Sequence, residues 1–333
     1  MPELRKDPVI GRWVIISTER GKRPHDFKTV QEPHQGGFCP FCPGNEDKTP
    51  PEIFALREPG TAPNTPGWTL RVVPNKYPAL RVEGELNRRG EGIYDVMNGI
   101  GAHEVIIETP EHDKKLANME ISQIHNILKV YRDRIKDLRN DIRLQYVLVF
   151  KNQGYEAGAS LQHSHSQLIA TPIVPKNVME EMNGALNYFK YKERCIYCDI
   201  VREEIKDQVR LVYEEEHFIA IEPFAPRFPF ETWILPKAHA SHYEHSTDEL
   251  LRHLGITLKW VLQKLSKALQ DPPYNFIIHT SPMQENALPH YHWHLEIMPR
   301  LTREAGFERG TGFYINSTSP EDAARYLKTI EIE

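Results

Sequence analysis

Two histidines stand two residues apart in the run His163-Ser164-His165-Ser166-Gln167. Side chains repeat every two residues on a β-strand, so both rings would lie on one face. Because imidazole is neutral and nucleophilic near pH 7, His165 could displace a leaving group from phosphorus without a separate base. The spacing fits a second pair of metal ligands or a packed strand equally well, and spacing alone does not decide between these interpretations.

The four cysteines form two pairs with the spacing C-x-x-C, Cys39/Cys42 and Cys195/Cys198. In a reducing compartment this spacing favours metal binding or redox chemistry over structural disulfides. One such pair alone would fit a redox pair or two buried thiols as well as it fits a metal site. The pair recurs in both halves of the chain with histidines in equivalent places, and this recurrence predicts zinc.

Zinc prefers four tetrahedral nitrogen or sulfur ligands. Each half of the chain supplies two cysteines and two later histidines, and the predicted sets are Cys39, Cys42, His112 and His163, then Cys195, Cys198, His239 and His292. His103 is an alternative to His112, and His242 or His245 could replace His239. We favour His112 and His239 because each follows a strand and a proline. Four protein ligands leave no open coordination position, so both zinc ions are predicted to be structural.

Two similar series of elements position these residues. Apolar residues at three- and four-residue intervals predict amphipathic helices from Ile121 to Leu138 and from Leu251 to Leu269. Each helix is followed by a β-rich run and then by a histidine-rich strand. The spacing of the first-half histidines nearly equals that of the second half, which indicates a repeat.

The repeat predicts an α+β fold made of two tandem units, each a mainly antiparallel sheet with a packed helix. A chain of 333 residues is longer than one hydrophobic core usually organises, in agreement with two units. We place the N-terminal, catalytic domain at 1–175 and the C-terminal, zinc-binding domain at 190–333. The charged, helix-prone segment 176–194 would join them.

Composition excludes several classes of function. The formal net charge of -5 provides no general field for nucleic acid or acidic membrane. There is no apolar run of about 18 residues, and the N-terminus lacks the apolar core of a signal peptide, so we expect a cytoplasmic protein with no membrane partner. The acidic sequences FCPFCPGNEDK and CIYCDIVREE argue against an RNA-binding zinc ribbon.

The run HSHSQ, preceded by Gly158-Ala159-Ser160, resembles the catalytic run of the histidine-triad superfamily and in particular its galactose-1-phosphate uridylyltransferase family. The resemblance extends over nearly the whole chain through DPVIGRWVIIS, ERGKRP, FCPFCPG, NKYPAL, TPEH and HWHLEIMP. It implies two histidine-triad-like units and a homodimer with the C-terminal segment near the partner's active site. It also resolves the histidine pair, with His165 as the nucleophile and His163 as a zinc ligand.

The same resemblance implies further contacts with the substrate. Gln167 would donate to the transferred phosphoryl group, and Ser160 and Asn152 would contact the phosphates. Arg20 and Arg23 match a basic pair whose guanidinium groups suit phosphate oxygens. Asn75 would lie close to the nucleoside.

The resemblance also implies group transfer in place of hydrolysis. Hydrolases of the superfamily carry a third histidine where this chain has Gln167, and an amide cannot exchange a proton with water, although it can donate hydrogen bonds. The nucleotidyl-histidine would therefore persist until an anionic acceptor binds and attacks it, in a ping-pong double displacement. In the second half His294 takes the nucleophile's place, but Glu296 would repel phosphate, so that half is predicted to be non-catalytic.

Two branches of the family differ in their donor and acceptor substrates. Our first choice is UDP-glucose as donor and galactose 1-phosphate as acceptor. Ser164 replaces the usual proline between the histidines, however, and a related branch resembling ADP-glucose phosphorylase carries HSHSQ and a similar GFE-x-GTG stretch. The alternative is therefore ADP-glucose with inorganic phosphate as acceptor. A non-catalytic nucleotide-binding sensor is a third hypothesis, which the intact His165 and Gln167 disfavour.

Overall fold

The computed structural model describes residues 2–18 and 38–332. Its strands, in chain order, are β1 (Glu3–Lys6), β2 (Trp13–Ile16), β3 (Phe54–Arg57), β4 (Trp68–Pro74), β5 (Arg89–Glu91), β6 (Tyr94–Val96), β7 (Ala102–Ile107), β8 (Tyr146–Gln153), β9 (His165–Thr171), β10 (Leu211–Glu214), β11 (Phe218–Ile221), β12 (Thr232–Pro236), β13 (Tyr274–His279), β14 (His294–Pro299) and β15 (Tyr314–Asn316). Its α-helices are α1 (Ile121–Leu138), α2 (Lys176–Lys192), α3 (Ile196–Asp207), α4 (Asp248–Leu269), α5 (Gly306–Thr311) and α6 (Pro320–Thr329).

One antiparallel sheet of ten strands runs through both halves of the chain. Its order is β10-β11-β12-β14-β13-β8-β9-β7-β4-β3. The five strands of the first half appear in the reverse order of their counterparts in the second half, and β8 pairs with β13 at the centre. The repeat seen in the sequence is thus a pair of five-stranded units that share one continuous sheet.

The two long helices cover one face of this sheet. In α1 and α4 the apolar residues at three- and four-residue intervals are buried against the strands, as the helical period predicts. The hydroxyl of Thr247 caps α4 by accepting from the backbone N–H of Leu250. Gly255 of α4 lies against Ile124 and Leu128 of α1 where the two helices meet.

The opposite face of the sheet carries the histidines. In the second half, α2 and α3 pack on this face against Ile219, Ile221 and Trp233. In the first half Phe41, from the first C-x-x-C loop, packs against a smaller apolar cluster that includes Ile107. A separate three-stranded sheet, β1-β2-β15, brings the two ends of the chain together.

The predicted α+β class, with mainly antiparallel sheet and a long helix on each half, is confirmed. Helix α2 occupies the segment expected between the two units, whereas the division into domains at 1–175 and 190–333 stays a prediction. Among residues 2–18 and 38–332, no helix combines the length and the apolar character needed to cross a bilayer.

Candidate active site and metal centres

The first C-x-x-C pair converges with two histidines in a group that could hold a metal ion. Cys42 Sγ lies 3.3 Å from His112 Nδ1 and 3.6 Å from His163 Nδ1, and Cys39 Sγ lies 3.7 Å from His163 Nδ1. Tetrahedral zinc with its usual bond lengths separates sulfur and nitrogen ligands by about 3.5 Å. The Nε2 of His163 donates to the carbonyl oxygen of Thr109 at 2.7 Å, so its Nδ1 presents the lone pair. The donor set therefore fits zinc.

A second group with the same composition lies in the other half, formed by Cys195, Cys198, His239 and His292. Cys198 Sγ lies 3.4 Å from His239 Nδ1 and 3.6 Å from His292 Nδ1. The Nε2 of His292 donates to the carbonyl oxygen of Pro236 at 2.9 Å, which again leaves Nδ1 for a metal. This donor set fits zinc as well as the first.

The two groups share their geometry as well as their composition. The rings of His112 and His163 lie 5.4 Å apart at an interplanar angle of 89°, and the rings of His239 and His292 have the same separation and angle. Two chain segments with different sequences reproduce one arrangement, which indicates that the repeat extends to the orientation of the ligand side chains.

The alternative histidines lie elsewhere. His103 contacts Gln167 and belongs to neither group. His242 bonds to the hydroxyl of Ser241 through Nδ1 and stacks on His245 at 4.9 Å between ring centroids. The structure therefore brings together the two ligand sets that the sequence predicted.

His165 begins β9, and only 6% of it is exposed. His163 lies two residues before the strand, which is therefore shorter than predicted, and its ring bonds to the carbonyl oxygen of Thr109, two residues after β7 ends. The Nδ1 of His165 donates to the carbonyl oxygen of His163 at 2.8 Å, and Nε2 therefore carries the lone pair. Burial of the ring, together with the ammonium group of Lys151, lowers the pKa of His165 to about 4, so the ring is neutral at pH 7. The ring has the protonation state that a nucleophile needs.

A buried ionic network lies directly beneath the start of β9. Lys151 Nζ donates to Glu108 Oε2 at 2.7 Å, to Ser164 Oγ at 3.0 Å and to the carbonyl oxygen of His165 at 2.9 Å. The hydroxyls of Ser164 and Tyr131 donate to the carboxylate of Glu108. Burial alone would raise the pKa of Glu108, but Lys151 and the Ser164 hydroxyl hold it below its usual value. Ser164 thus supports the start of the strand through its side chain.

Replacing Lys151 with methionine is expected to lower the free energy of unfolding by about 3–5 kcal/mol, because it leaves the carboxylate of Glu108 buried without a counter-charge. The matched control is Lys129→Met, which removes a largely exposed ion pair with Asp248 and is expected to cost less than about 1 kcal/mol. Urea unfolding of both variants provides the measurement. Equal losses would show that the buried pair has no special role.

Gln167 lies on β9 on the same face of the sheet as His165. Its Oε1 is 2.8 Å from His103 Nε2 and 3.5 Å from Asn75 Nδ2. The side chains predicted to touch the phosphoryl group and to lie close to the nucleoside are therefore neighbours. His103, which the sequence offered only as a possible metal ligand, is the third member of this cluster.

The remaining predicted contacts are distributed between the central strands and the loop before His163. Asn152 Oδ1 accepts from Asn275 Nδ2 at 2.8 Å across the pairing of β8 with β13, so the amide NH2 of Asn152 is left as its donor. Ser160 is exposed in the loop. Arg20 and Arg23 lie outside the described residues.

Four side chains in or beside the site were not predicted in these roles, namely Lys151, Glu108, His103 and Asn275. Lys151 and Glu108 each follow an apolar strand run, YVLVF and VII, and their burial in the structure requires each to have a partner of opposite charge. No sequence signal connects Asn275 with Asn152, because their contact depends on how the two halves join.

The equivalent position in the second half carries a different set of groups. His279 stacks on His294 with 4.6 Å between ring centroids and donates from Nδ1 to Glu181 at 2.9 Å, while Arg227 pairs with Glu296. Burial disfavours the charged ring, but Glu181 and Glu296 raise the pKa of His279 to about 10. These side chains border a cavity of about 490 Å³. Glu181, His279 and His294 also lie close enough to share a metal ion. Glu296 follows His294 on β14 as Gln167 follows His165 on β9, so a carboxylate replaces the amide at this position.

Comparison with known proteins places these features in context. The family model for galactose-1-phosphate uridyl transferase, N-terminal domain, matches residues 1–175, and a model for a domain of unknown function matches residues 94–330. The chain is 44% identical to the ADP-glucose phosphorylase of Arabidopsis thaliana over 99% of this chain and 93% of that protein. It is 32% identical to the galactose-1-phosphate uridylyltransferase of Thermotoga maritima over the full length of both.

Solved structures of an ADP-glucose phosphorylase and of a uridylyltransferase are also similar to this chain. The crystal structure of an ADP-glucose phosphorylase from Arabidopsis thaliana with bound ADP-glucose superimposes with a TM-score of 0.86 at 41% identity, covering the whole of both chains. A uridylyltransferase structure superimposes with a TM-score of 0.77 at 29% identity, covering 98% of this chain and 97% of that one. Both similarities extend over essentially the entire chain.

Proposed function

Because the chain belongs to the galactose-1-phosphate uridylyltransferase family, we propose that it transfers the nucleotidyl group of ADP-glucose to inorganic phosphate through a covalent intermediate on His165. The observation that supports this chemistry is the hydrogen bond of the His165 ring. Its Nδ1 donates to a backbone carbonyl oxygen, so its Nε2 keeps the lone pair. The substrates are supported by the higher identity to the ADP-glucose phosphorylase, 44% against 32%. This favours the alternative over our first choice of UDP-glucose and galactose 1-phosphate.

In the first step the Nε2 lone pair of His165 attacks the α-phosphorus of ADP-glucose. A phosphorus–nitrogen bond forms, the bond from the α-phosphorus to the bridging oxygen breaks, and glucose 1-phosphate leaves as an anion. No general base is needed because Nε2 carries no proton. The proton on Nδ1 stays in its hydrogen bond to the carbonyl of His163, which stabilises the positive charge on the ring.

In the second step an oxygen of inorganic phosphate attacks the same phosphorus. The phosphorus–nitrogen bond breaks, ADP leaves and neutral His165 is restored. The amide of Gln167 donates to the phosphoryl oxygens in both steps and cannot take a proton from water, so an acceptor that is already ionised is favoured over hydrolysis. Asn152, Ser160, Arg20 and Arg23 contact the phosphates, and Asn75 lies close to the nucleoside.

Both cysteine and histidine groups hold zinc in this proposal, and both are structural. Zinc at the first group fixes His163, whose carbonyl orients His165, and it fixes the loop that carries Phe41, whose ring lies 5.4 Å from that of His165. Residues 1–175 form the catalytic domain and 190–333 a non-catalytic, zinc-binding domain. The chain acts as a homodimer in the cytoplasm.

The test is a comparison of donor and acceptor pairs. Purified protein is incubated with ADP-glucose or UDP-glucose, each with inorganic phosphate or galactose 1-phosphate, and nucleotides and sugar phosphates are separated by chromatography. We expect ADP and glucose 1-phosphate from ADP-glucose and phosphate to form faster than products of the other three pairs. Fastest turnover of UDP-glucose with galactose 1-phosphate would overturn the substrate proposal in favour of the uridylyltransferase, and no turnover with any pair would support a sensor.

A further inference from the structure

His103 lies on β7, on the same face of the sheet as Gln167 and His165. In the antiparallel pairing of β7 with β9, Val105 is opposite Gln167 and Ile107 is opposite His165, so His103 is two residues beyond Val105 on that face. The ring is half-buried, and both of its nitrogens have partners. A histidine that is absent from the metal groups is therefore held firmly beside the proposed phosphoryl donor.

The partners of His103 determine which ring nitrogen carries the proton. The backbone N–H of Ala79 points at Nδ1 at 3.1 Å, and a backbone N–H can only donate. Nδ1 is therefore the acceptor, and Nε2 carries the proton of the neutral ring. Nε2–H then donates to Gln167 Oε1 at 2.8 Å.

This hydrogen bond fixes which end of the Gln167 amide faces the substrate. Asn75 supports it, since its Oδ1 accepts from the N–H of Tyr77 and its Nδ2 is thereby turned toward the same point, 3.5 Å from Gln167 Oε1 and 3.1 Å from His103 Nε2. Because His103 Nδ1 already accepts from Ala79, His103 Nε2–H and the Asn75 NH2 group are both donors and share Gln167 Oε1 as their acceptor. Two donors thus converge on Oε1, and the NH2 group of Gln167 is left for other acceptors. If the amide flipped, its NH2 group would face the N–H of His103 and both donors would lose their partner.

We infer that His103 is a positioning residue, which acts through Gln167 by holding the amide with its NH2 group as the donor to the phosphoryl oxygens. The inference rests on the proposed function, since it assigns a task to a residue of that site. The loop 75–79 takes part in this positioning, because Ala79 provides the backbone donor that selects the tautomer of His103 and Asn75 provides the second donor to Gln167.

The test is a set of single-turnover measurements, in which the rate of glucose 1-phosphate release from ADP-glucose is followed without acceptor. His103→Leu removes the donor and should slow release with little change in the ADP-glucose concentration needed for half the maximal rate. The loss should be smaller than the roughly 10²- to 10³-fold expected when Gln167→Ala removes the direct donor. His103→Gln places an amide NH2 near the position of Nε2 and should restore release to near the wild-type rate.

The double variant separates positioning from a general structural effect. If His103 acts only through Gln167, adding His103→Leu to Gln167→Ala should cause no further loss. Additive losses, a failed rescue by His103→Gln, or an effect confined to substrate affinity would each overturn the inference. Thermal unfolding of each variant checks that the chain folds.

A measurement that needs no turnover keeps the inference separate from the proposed function. Nitrogen-15 NMR of the imidazole rings should show His103 protonated on Nε2, and its Nε2 signal should shift in Gln167→Ala. Protonation on Nδ1 would overturn the inference even in an active enzyme. Absence of glucose 1-phosphate release by the wild-type protein would instead count against the proposed function.

Discussion

Replacement of His165 with asparagine is expected to abolish nucleotidyl transfer, with a loss of turnover of at least about 10⁴-fold, the scale seen when a catalytic nucleophile is removed. Asparagine retains an N–H that can donate to the carbonyl of His163 and so preserves the local hydrogen bond, but it has no lone pair of comparable nucleophilicity. Turnover of ADP-glucose with phosphate is the measurement. Covalent labelling of the protein should disappear together with turnover.

The matched control is His294→Asn at the equivalent position of the second half. His294 has the same bond from Nδ1 to the carbonyl two residues before it, at 3.1 Å from His292, and it also begins a strand. We expect this variant to keep the ability to form the intermediate. Comparable losses in the two variants would contradict the assignment of catalysis to the first half, and full activity of His165→Asn would remove the proposed nucleophile.

Replacement of Cys42 with serine is expected to remove one of two zinc ions per chain and to lower turnover by at least about 100-fold, since even changes around a metal's ligands cost 10- to 100-fold. A serine hydroxyl is a poor zinc ligand at neutral pH because it stays protonated. Cys42 contacts both histidines of its group, so its loss frees His163 and with it the carbonyl that orients His165. Zinc content by elemental analysis and turnover are measured on the same sample.

Cys198→Ser tests whether this effect is specific to the first group. Cys198 has the corresponding contacts with His239 and His292, far along the sheet from His165. This variant should also lose one zinc ion, yet it should keep most of its turnover at a temperature where it remains folded. Retention of both zinc ions by either variant would contradict the ligand assignment for that group.

Much of the fold could be predicted because the signals are local. The helical period from Ile121 to Leu138 coincides with α1, since one apolar face must be buried against the sheet. The C-x-x-C pairs and later histidines could be assigned to two groups because zinc restricts both the number and the type of its ligands. The repeat, which pairs His112 with His239, favours His112 over His103 as the third ligand of the first group.

Other features depend on contacts that no local pattern encodes. The pairing of β8 with β13 makes one sheet from two units, and the sequence specifies edge pairing only through long-range packing. The tautomer of His103 depends on a backbone N–H 24 positions away in the chain, and the role of Ser164 depends on a lysine that is buried only after the strands assemble. Hydrogen-bond partners of this kind are determined by tertiary structure.

The most direct test of the proposed mechanism is to mix the protein with ADP-glucose in the absence of any acceptor and to quench the reaction within one turnover. The mechanism predicts close to one equivalent of glucose 1-phosphate per active site and a protein heavier by one adenylyl group, attached at His165 and released as ADP when phosphate is added. Release of glucose 1-phosphate only when phosphate is present, with no nucleotide attached to the protein, would contradict the covalent mechanism.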